Sequence, residues 1–409
     1  MKEFFKVITV EDAIGFRTRF TRMQTEIVPL SDSLGRVLAK EVQSDIDLPD
    51  FPRSIMDGFA VKGSSTFGAS EGNPAYLMVK GSVAMGEKSD LSIGTGEAVR
   101  ISTGGMIPSG ADSVVMVEHT GAIDDTTIEV YRSVAPGQNM VTIGEDIKKG
   151  EAILAAGSSI RPQEAGLLAA LGHQEVTVFK RPVVGIISTG DEVVPIDRIP
   201  GPGQIRDVNT YTLMNQVAQL GAVAVPFGIV GDDYDALLEK CIRALQRCDL
   251  VLVSGGSSVG ARDFTIDIIS AMENSAILFH GISVSPGKPT ILASVQNKQF
   301  WGLPGHVVSA MIVFSRIVRP FLEYISGLTE IGLKEIRLPA RLSRNLAGAQ
   351  GRVDYVRVRL FQRDGINWAE PILGKSGLIS TMVKADGLIE IGMNAEGLDE
   401  GVEVEVILL

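Results

Sequence analysis

Short apolar runs that end in polar or glycine-rich turns recur through the middle of the chain. One covers Val183–Ile187, and another is Leu250–Val253 within the stretch Asp249–Asp263. Consecutive apolar residues bounded by turn residues are typical of buried strands in a parallel sheet. Apolar positions at helical spacing, such as Leu237 and Cys241, lie between these runs. This alternation predicts a central three-layer α/β domain with a mostly parallel sheet.

The two flanking regions have a different periodicity. Short β-like runs separated by glycines extend from Gly81 to Gly150, which predicts a small β-rich domain. Near the end of the chain, Val356 and Val358 alternate with charged residues, and the same period of two returns at Val402–Val406. That period predicts a small C-terminal β-barrel or sandwich.

Composition narrows the class of protein. At 409 residues the chain is too long for one ordinary core, and a 45% hydrophobic fraction with 21% charged residues is typical of a globular protein. The net charge of −11 argues against a broad surface for nucleic acid or an anionic membrane. An anionic substrate would therefore need a local basic pocket.

The cysteines and the N-terminus bear on the compartment. Cys241 and Cys248 lie seven residues apart in a predicted helix, about 10 Å and too far for a disulfide. We interpret them as buried small hydrophobes in a reducing compartment, the cytoplasm. The first ten residues lack a signal-peptide core, and no apolar run reaches the roughly 18 residues of a membrane span.

Polar loops follow several of the predicted strands. Since ligands bind at the carboxyl edge of such sheets, the loops around these residues are expected to converge there: Asp191, Asp207, Asp232, Asp263 and Lys288. Any one acidic turn can be purely structural, as can the tight glycine turn after Val253. All of them in one domain favour a nucleotide-like or phosphate ligand with Mg²⁺. Lys288, in the rigid sequence Pro-Gly-Lys-Pro, suits an oxyanion.

A set of motifs adds a family resemblance that covers nearly the whole chain. The motifs are Met56-Asp57-Gly58-Phe59-Ala60-Val61, Gly144-Glu145-Asp146, Ser188-Thr189-Gly190-Asp191-Glu192, Ser254-Gly255-Gly256 with Val259-Gly260 and Asp263, Pro286-Gly287-Lys288-Pro289, and Gly302-Leu303-Pro304-Gly305. Each is modest alone, but their ordered combination is specific. The set resembles the molybdopterin molybdenumtransferase family, known as MoeA and the gephyrin E domain.

The resemblance implies a fold and an activity. The fold is an elongated, four-domain homodimer, with a discontinuous N-terminal linker and dimerisation domain (1–44 and 147–178), a β-rich domain (45–146), a MogA-like α/β domain (179–327) and a β-barrel domain (328–409). The activity is insertion of molybdenum from molybdate into adenylylated molybdopterin, with Mg²⁺ and release of AMP. The active site would be shared between the two subunits.

The resemblance also implies site residues. The family-type active-site positions are Asp57, Thr103, Asp146, Glu192, Asp232 and Asp263. Substrate-binding positions are Gly190, Ser254, Gly255, Gly256, Ser258, Lys288, Pro289, Pro304, Arg352 and Ser376, of which Ser258, Lys288, Arg352 and Ser376 would surround molybdate. The acidic turns at Asp191, Asp232 and Asp263 would hold Mg²⁺. Arg357 and Arg359 we interpret instead as a solvated strand face.

The sequence departs from the family pattern at a few positions. Ser285 stands where the family has the first lysine of Lys-Pro-Gly-Lys-Pro, and His306-Val307 stands where it has Asn-Pro. The usual Gly-Ser-Gly reads Gly374-Lys375-Ser376-Gly377, so Lys375 offers a substitute charge. Tungstate, with the shape and charge of molybdate, remains an alternative substrate. Two other functions also stay open, a non-catalytic molybdopterin-binding scaffold and a molybdopterin adenylyltransferase.

Overall fold

The computed structural model describes residues 7–255, 261–329 and 335–409. The chain forms two compact units. The large unit contains residues up to Lys40, then 156–165 and 174–409, and the small unit contains 41–155 and 166–173. The domain boundaries expected from the sequence are finer than this division and stay a prediction.

The strands of the described residues are, in chain order, β1 (Thr25–Pro29), β2 (Val42–Gln43), β3 (Arg53–Ser54), β4 (Gly58–Val61), β5 (Ala75–Val83), β6 (Glu97–Ile101), β7 (Ser113–Met116), β8 (Thr120–Ala122), β9 (Thr127–Val130), β10 (Met140–Val141), β11 (Ala152–Leu154), β12 (Glu175–Phe179), β13 (Val183–Thr189), β14 (Val193–Val194), β15 (Ile205–Arg206), β16 (Val223–Val230), β17 (Leu250–Gly255), β18 (Ser275–His280), β19 (Val284–Ser285), β20 (Ile291–Val295), β21 (Lys298–Leu303), β22 (Arg337–Leu342), β23 (Leu346–Ala347), β24 (Val353–Arg363), β25 (Ile366–Pro371), β26 (Gly387–Ile391), β27 (Gly397–Leu398) and β28 (Glu403–Leu408).

The α-helices are α1 (Val10–Gly15), α2 (Pro162–Ala170), α3 (Asn209–Gln219), α4 (Tyr234–Arg247), α5 (Ala261–Ala271), α6 (Val307–Val313), α7 (Arg319–Ile325) and α8 (Ser380–Val383). A π-helical turn, Phe314–Val318, joins α6 to α7 into one continuous helical segment. Thr9 caps α1, since its side chain accepts a hydrogen bond from Asp12 N at 3.0 Å.

The large unit is built around a six-stranded sheet in the order β16-β13-β17-β21-β20-β18. Strands β16, β13, β17 and β21 are parallel, whereas β20 is antiparallel to β21. Alternate residues of β17 pack on opposite faces. Leu250 and Leu252 join a core with α3, whereas Val251 and Val253 join a core with α4 and α5. The predicted three-layer α/β domain is confirmed.

The C-terminal strands of the large unit close into a five-stranded barrel. The strands pair in the order β24-β25-β22-β28-β26, and β26 pairs back to β24. Its interior contains Leu342, Val358, Ala369, Ile389 and Val406, all at most 1% exposed. The period of two seen in the sequence therefore reflects alternation between the barrel interior and its outer face.

The small unit contains a six-stranded sheet in the order β7-β4-β6-β5-β9-β8, as the glycine-punctuated β pattern predicts. Phe59 and Val61 of β4 pack with Leu77 and Val115 on one side. Ala60 packs with Ile101 and Val114 on the other. Both faces of this short central strand are thus covered.

Two further expectations can be compared with the structure. Cys241 and Cys248 are both buried and free, as predicted. In the described residues, no helix has the length and apolar character needed to cross a membrane.

The interpretation of Arg357 as part of a solvated strand face is wrong. Arg357 is only 8% exposed, because the loop at Gly374 and helix α8 cover it. Its guanidinium donates to Thr381 Oγ1 at 2.6 Å and to Gly374 O at 2.8 Å. Arg359, two residues along β24, is exposed as expected.

Candidate functional site

The predicted convergence of polar loops at one edge of the α/β sheet is present for those around Asp191, Asp207, Asp232 and Lys288. The loops after β13, β16 and β21 leave the carboxyl ends of parallel strands. The loop carrying Lys288 joins this edge because β20 runs antiparallel, with Ile291 opposite Gly302. Two adjoining cavities form there, and His306 lines both.

The first cavity, which we call the strand-end cleft, has a volume of about 440 Å³. The predicted site residues that line it are Gly190, Glu192, Asp232, Ser254 and Gly255. Gly255 has a φ of +128°, and a Cβ there would lie 2.2 Å from Thr189 O. Only glycine allows β17 to approach β13 this closely at the cleft.

Carboxylates crowd one side of this cleft. Asp232 N donates to Asp191 Oδ1 at 2.9 Å, which brings the two acidic turns together. Burial, together with the charges of Asp191 and Glu192, raises the pKa of the Asp232 carboxyl. A divalent cation would relieve this repulsion, and a phosphate group would be attracted only with such a cation present.

Asp207 differs from the other acidic residues of the convergent loops. It lines the cleft but is 6% exposed, and its Oδ1 accepts bonds from Ser188 Oγ at 2.8 Å and Thr210 N at 3.0 Å. These bonds fix the start of α3 against the end of β13. We therefore assign Asp207 a structural role instead of a ligand contact.

Asn209 is a cleft residue that sequence reasoning did not single out. Its Nδ2 donates to Ser254 Oγ at 2.6 Å and to Gly305 O at 2.8 Å, so α3 is tied to the ends of β17 and β21. In the described structure its Oδ1 is buried and lacks a hydrogen-bond partner. A buried free acceptor suits a ligand N–H or O–H group. Asparagine is common at helix starts, so the sequence alone did not indicate a ligand-binding role for Asn209.

The second cavity, which we call the oxyanion cavity, has a volume of about 620 Å³. The predicted site residues that line it are Lys288, Pro289, Pro304, Arg352 and Ser376. Arg352 is held by Asp354, whose Oδ1 accepts from Arg352 Nε at 2.9 Å. Ser285 also lines this cavity, whereas Lys375 is exposed and lines neither cavity.

Pairing between the α/β sheet region and the barrel brings these residues together. Strand β19 pairs with β24, with Ser285 opposite Asp354, and this register places the Lys288 loop beside Arg352. From the other side, Val308 N donates to Ser376 O at 3.0 Å. His306 Nδ1 lies 2.8 Å from Ser376 Oγ. His306, at the position of the family's asparagine, thus makes a polar contact with the Ser376 loop.

Arg357 supports the same loop from behind. Its bond to Gly374 O fixes the residue two positions before Ser376, and its bond to Thr381 Oγ1 fixes the start of α8. Since Arg357 does not line the oxyanion cavity, it is a positioning residue.

The carboxylates at the cleft suit the predicted Mg²⁺, although they do not form a complete metal site by themselves. In the described residues, no group of three or more His, Cys, Asp or Glu side chains is arranged to hold a metal. Asp191 and Asp232 nevertheless supply adjacent carboxylates, and the pKa of Asp232 is raised by that crowding. Mg²⁺ commonly uses one or two carboxylates with water and substrate phosphates, which such a pair allows.

The remaining predicted site residues that the structure describes lie in the small unit. Thr103 N donates to Asp57 Oδ1 at 2.7 Å, so these two predicted residues lie together. Asp146 is exposed in the turn after Gly144, and its N–H donates to Leu48 O at 3.1 Å. Gly256 and Ser258 lie outside the described residues, as does the side chain of Asp263.

Comparison with known proteins covers most of the chain. Residues 8–172 match the MoeA N-terminal region (domain I and II), 185–324 match a probable molybdopterin binding domain, and 339–409 match the MoeA C-terminal region (domain IV).

Individual relatives extend over nearly the full length. A Methanocaldococcus jannaschii protein named for molybdopterin biosynthesis is 37% identical over 93% of this chain and 92% of its own. The molybdopterin molybdenumtransferase of Bacillus subtilis is 31% identical over 98% of this chain and 94% of its own. A crystal structure of the molybdopterin biosynthesis MoeA protein of Pyrococcus horikoshii OT3 is similar with a TM-score of 0.84 and 31% identity, covering 99% of this chain and 100% of that one.

Proposed function

Since the chain belongs to the MoeA family of molybdenum cofactor biosynthesis enzymes, we propose that it inserts molybdenum from molybdate into adenylylated molybdopterin and releases AMP. The observation that carries this proposal is the pair of adjoining cavities. One is rich in carboxylates and strand-end glycines, and the other contains Lys288 and Arg352. A pterin nucleotide and a tetrahedral oxyanion need those two environments side by side.

The strand-end cleft would hold the pterin nucleotide. Gly190 and Gly255 lack side chains, so a phosphate can approach the backbone closely there, and the free Oδ1 of Asn209 suits a pterin or nucleobase N–H. Asp191 and Asp232 would hold Mg²⁺, which neutralises pyrophosphate charge when bound. The acidic turns alone would repel that charge.

The oxyanion cavity would hold molybdate. Lys288 supplies a compact cation, Arg352 a planar fork of N–H donors, and Ser376 a hydroxyl. Because Ser285 replaces a family lysine, the cavity carries one fewer cation than the family pattern has. These groups recognise charge and shape, which molybdate and tungstate share.

We further propose that the enzyme is a cytoplasmic homodimer with shared active sites. The proposal rests on the family pattern, in which Asp57 of one subunit serves the site that contains Asp263 of the other. The Asp57–Thr103 contact supports a functional role for Asp57, since it orders an exposed carboxylate on a loop.

The test is an incubation of the protein with adenylylated molybdopterin, molybdate and Mg²⁺. AMP release together with metal insertion supports the proposal. Binding of the pterin nucleotide without turnover would favour the scaffold function. Pyrophosphate release from ATP and molybdopterin would favour the adenylyltransferase function.

A further inference from the structure

A third cavity lies at the opposite edge of the α/β sheet, and we call it the basal cavity. It includes Val183 and Lys298, the first residues of β13 and β21, and Asp249, directly before β17. The strand-end cleft lies at the last residues of the same strands, so the sheet separates the two. The volume of the basal cavity is about 560 Å³.

The basal cavity is basic in an otherwise acidic chain. Its lining cations are Arg22, Lys180, Arg181, Arg247 and Lys298, and Asp249 supplies a carboxylate. In the described part of the chain, none of these cations forms an ion pair. Asp249 Oδ2 accepts from Val183 N at 2.9 Å. The cations outnumber this single carboxylate and repel one another, and a bound anion would offset that repulsion.

Several of these cations are already held in place. The Arg22 guanidinium lies 5.3 Å from the Tyr324 ring centroid, and that of Arg247 lies 5.7 Å from the Phe227 centroid. Lys298 Nζ donates to Leu245 O at 2.6 Å and Cys248 O at 2.9 Å. Ring stacking leaves the in-plane N–H groups of an arginine available for an anion, and prior ordering lowers the entropy cost of binding.

Gln299 gives a second, independent indication of a ligand. It lines the cavity yet is 1% exposed, and Trp301 Nε1 donates to its Oε1 at 3.1 Å. Because the indole can only donate, this bond fixes the amide with its nitrogen directed elsewhere. The Nε2 group is buried and has no hydrogen-bond partner in the described structure. An acceptor against this wall would satisfy it.

We propose that the basal cavity binds a small phosphate-bearing anion. The ligand is small because the cations line one open concavity instead of forming a stripe, and because the net charge of −11 repels long polyanions. A phosphate group offers acceptors for the arginines, the lysines and Gln299 together. The basal cavity is separate from the proposed transferase site, so the anion-binding proposal and the transferase proposal can be tested independently.

Calorimetric titration with inorganic pyrophosphate at constant ionic strength, without Mg²⁺, tests the proposal. The variant Lys288→Gln/Arg352→Gln removes the cations of the oxyanion cavity and should keep saturable binding. Arg22→Gln/Arg181→Gln should weaken binding about tenfold, since two charges near the anion are lost. Lys180→Gln/Arg181→Gln, at exposed positions, serves if the first pair impairs folding. Arg132→Gln/Arg363→Gln removes two exposed arginines elsewhere and is the matched control.

Each binding result either supports or overturns the proposal. Retention in the Lys288/Arg352 variant and the control, with loss in the basal variants, supports the proposal. Absence of saturable binding to the wild-type protein overturns it. So does loss only in the Lys288/Arg352 variant, equal loss in the control, or tighter binding of a single-stranded oligonucleotide than of pyrophosphate.

Discussion

At the scale of single residues, two aspartates in similar acidic turns have opposite roles. Asp207 is buried and accepts two hydrogen bonds at its Oδ1. Asp232 lies beside other carboxylates, which helps to raise the pKa of Asp232. The sequence does not separate them, because Ser188, whose hydroxyl donates to Asp207, lies far from it in the chain and becomes its neighbour only through folding. Asp232 is therefore the better residue for testing ligand chemistry.

We expect Asp232→Asn to stabilise the protein without ligands while strongly reducing AMP release. The folded state holds a proton on Asp232 more tightly than the unfolded chain does, so the carboxylate lowers stability as pH rises through its raised pKa. The gain in melting temperature should be present at pH 7 and vanish in acid. Thermal unfolding across pH, with an AMP assay, measures both effects.

Asp233→Asn is the matched control for that variant. Asp233 caps α4 by accepting from Ala236 N at 2.9 Å, and asparagine caps helices nearly as well. Stability and activity should both stay near wild type. A destabilised Asp232→Asn protein at pH 7 would contradict the electrostatic account.

Ser285→Lys should tighten molybdate binding. Ser285 lines the oxyanion cavity, and a cation restored near a dianion contributes on the order of 1 kcal/mol in a wet site. The gain should shrink with added salt. Calorimetric titration at low and high ionic strength measures it, and unchanged affinity at low salt would show that another group already fills this role.

At the scale of elements, the strands and helices of the α/β domain were predictable because their apolar periods differ. The pairing of β19 with β24 was not, since it joins residues far apart in the chain and depends on how the barrel packs. The same limit explains the wrong interpretation of Arg357. Its alternation along β24 is that of an outer face, and only the covering loop at Gly374 buries it.

Arg357→Lys should loosen the Ser376 loop. The variant cannot keep both bonds to Thr381 Oγ1 and Gly374 O with the same geometry, and each such bond contributes roughly 1.5–3 kcal/mol. We expect lower stability and a higher molybdate KM with a smaller change in kcat. Arg359→Lys, exposed on the same strand, should change neither. Equal effects of the two variants would remove Arg357 from the site.

At the scale of the whole molecule, the family pattern predicts sites shared across a two-fold axis. Asp57→Ala and Asp263→Ala should each be inactive as homodimers. Random exchange between equal amounts gives half heterodimers, each with one site that has both aspartates, or roughly a quarter of wild-type sites. AMP release after co-expression with differential tags measures the recovery. If heterodimers verified by their tags release no AMP, the active site is not shared between subunits.

Both proposed substrates meet at the carboxyl edge of the sheet, so molybdate should control the release of AMP. The most direct measurement is the rate of AMP release from adenylylated molybdopterin against molybdate concentration, for wild type, Lys288→Gln and the exposed neighbour control Lys375→Gln. We predict saturable dependence on molybdate, with half-saturation shifted at least about fivefold upward by Lys288→Gln, since one cation beside a dianion is lost, and unchanged by Lys375→Gln. AMP release that is absent, or that is independent of molybdate, would contradict the assignment.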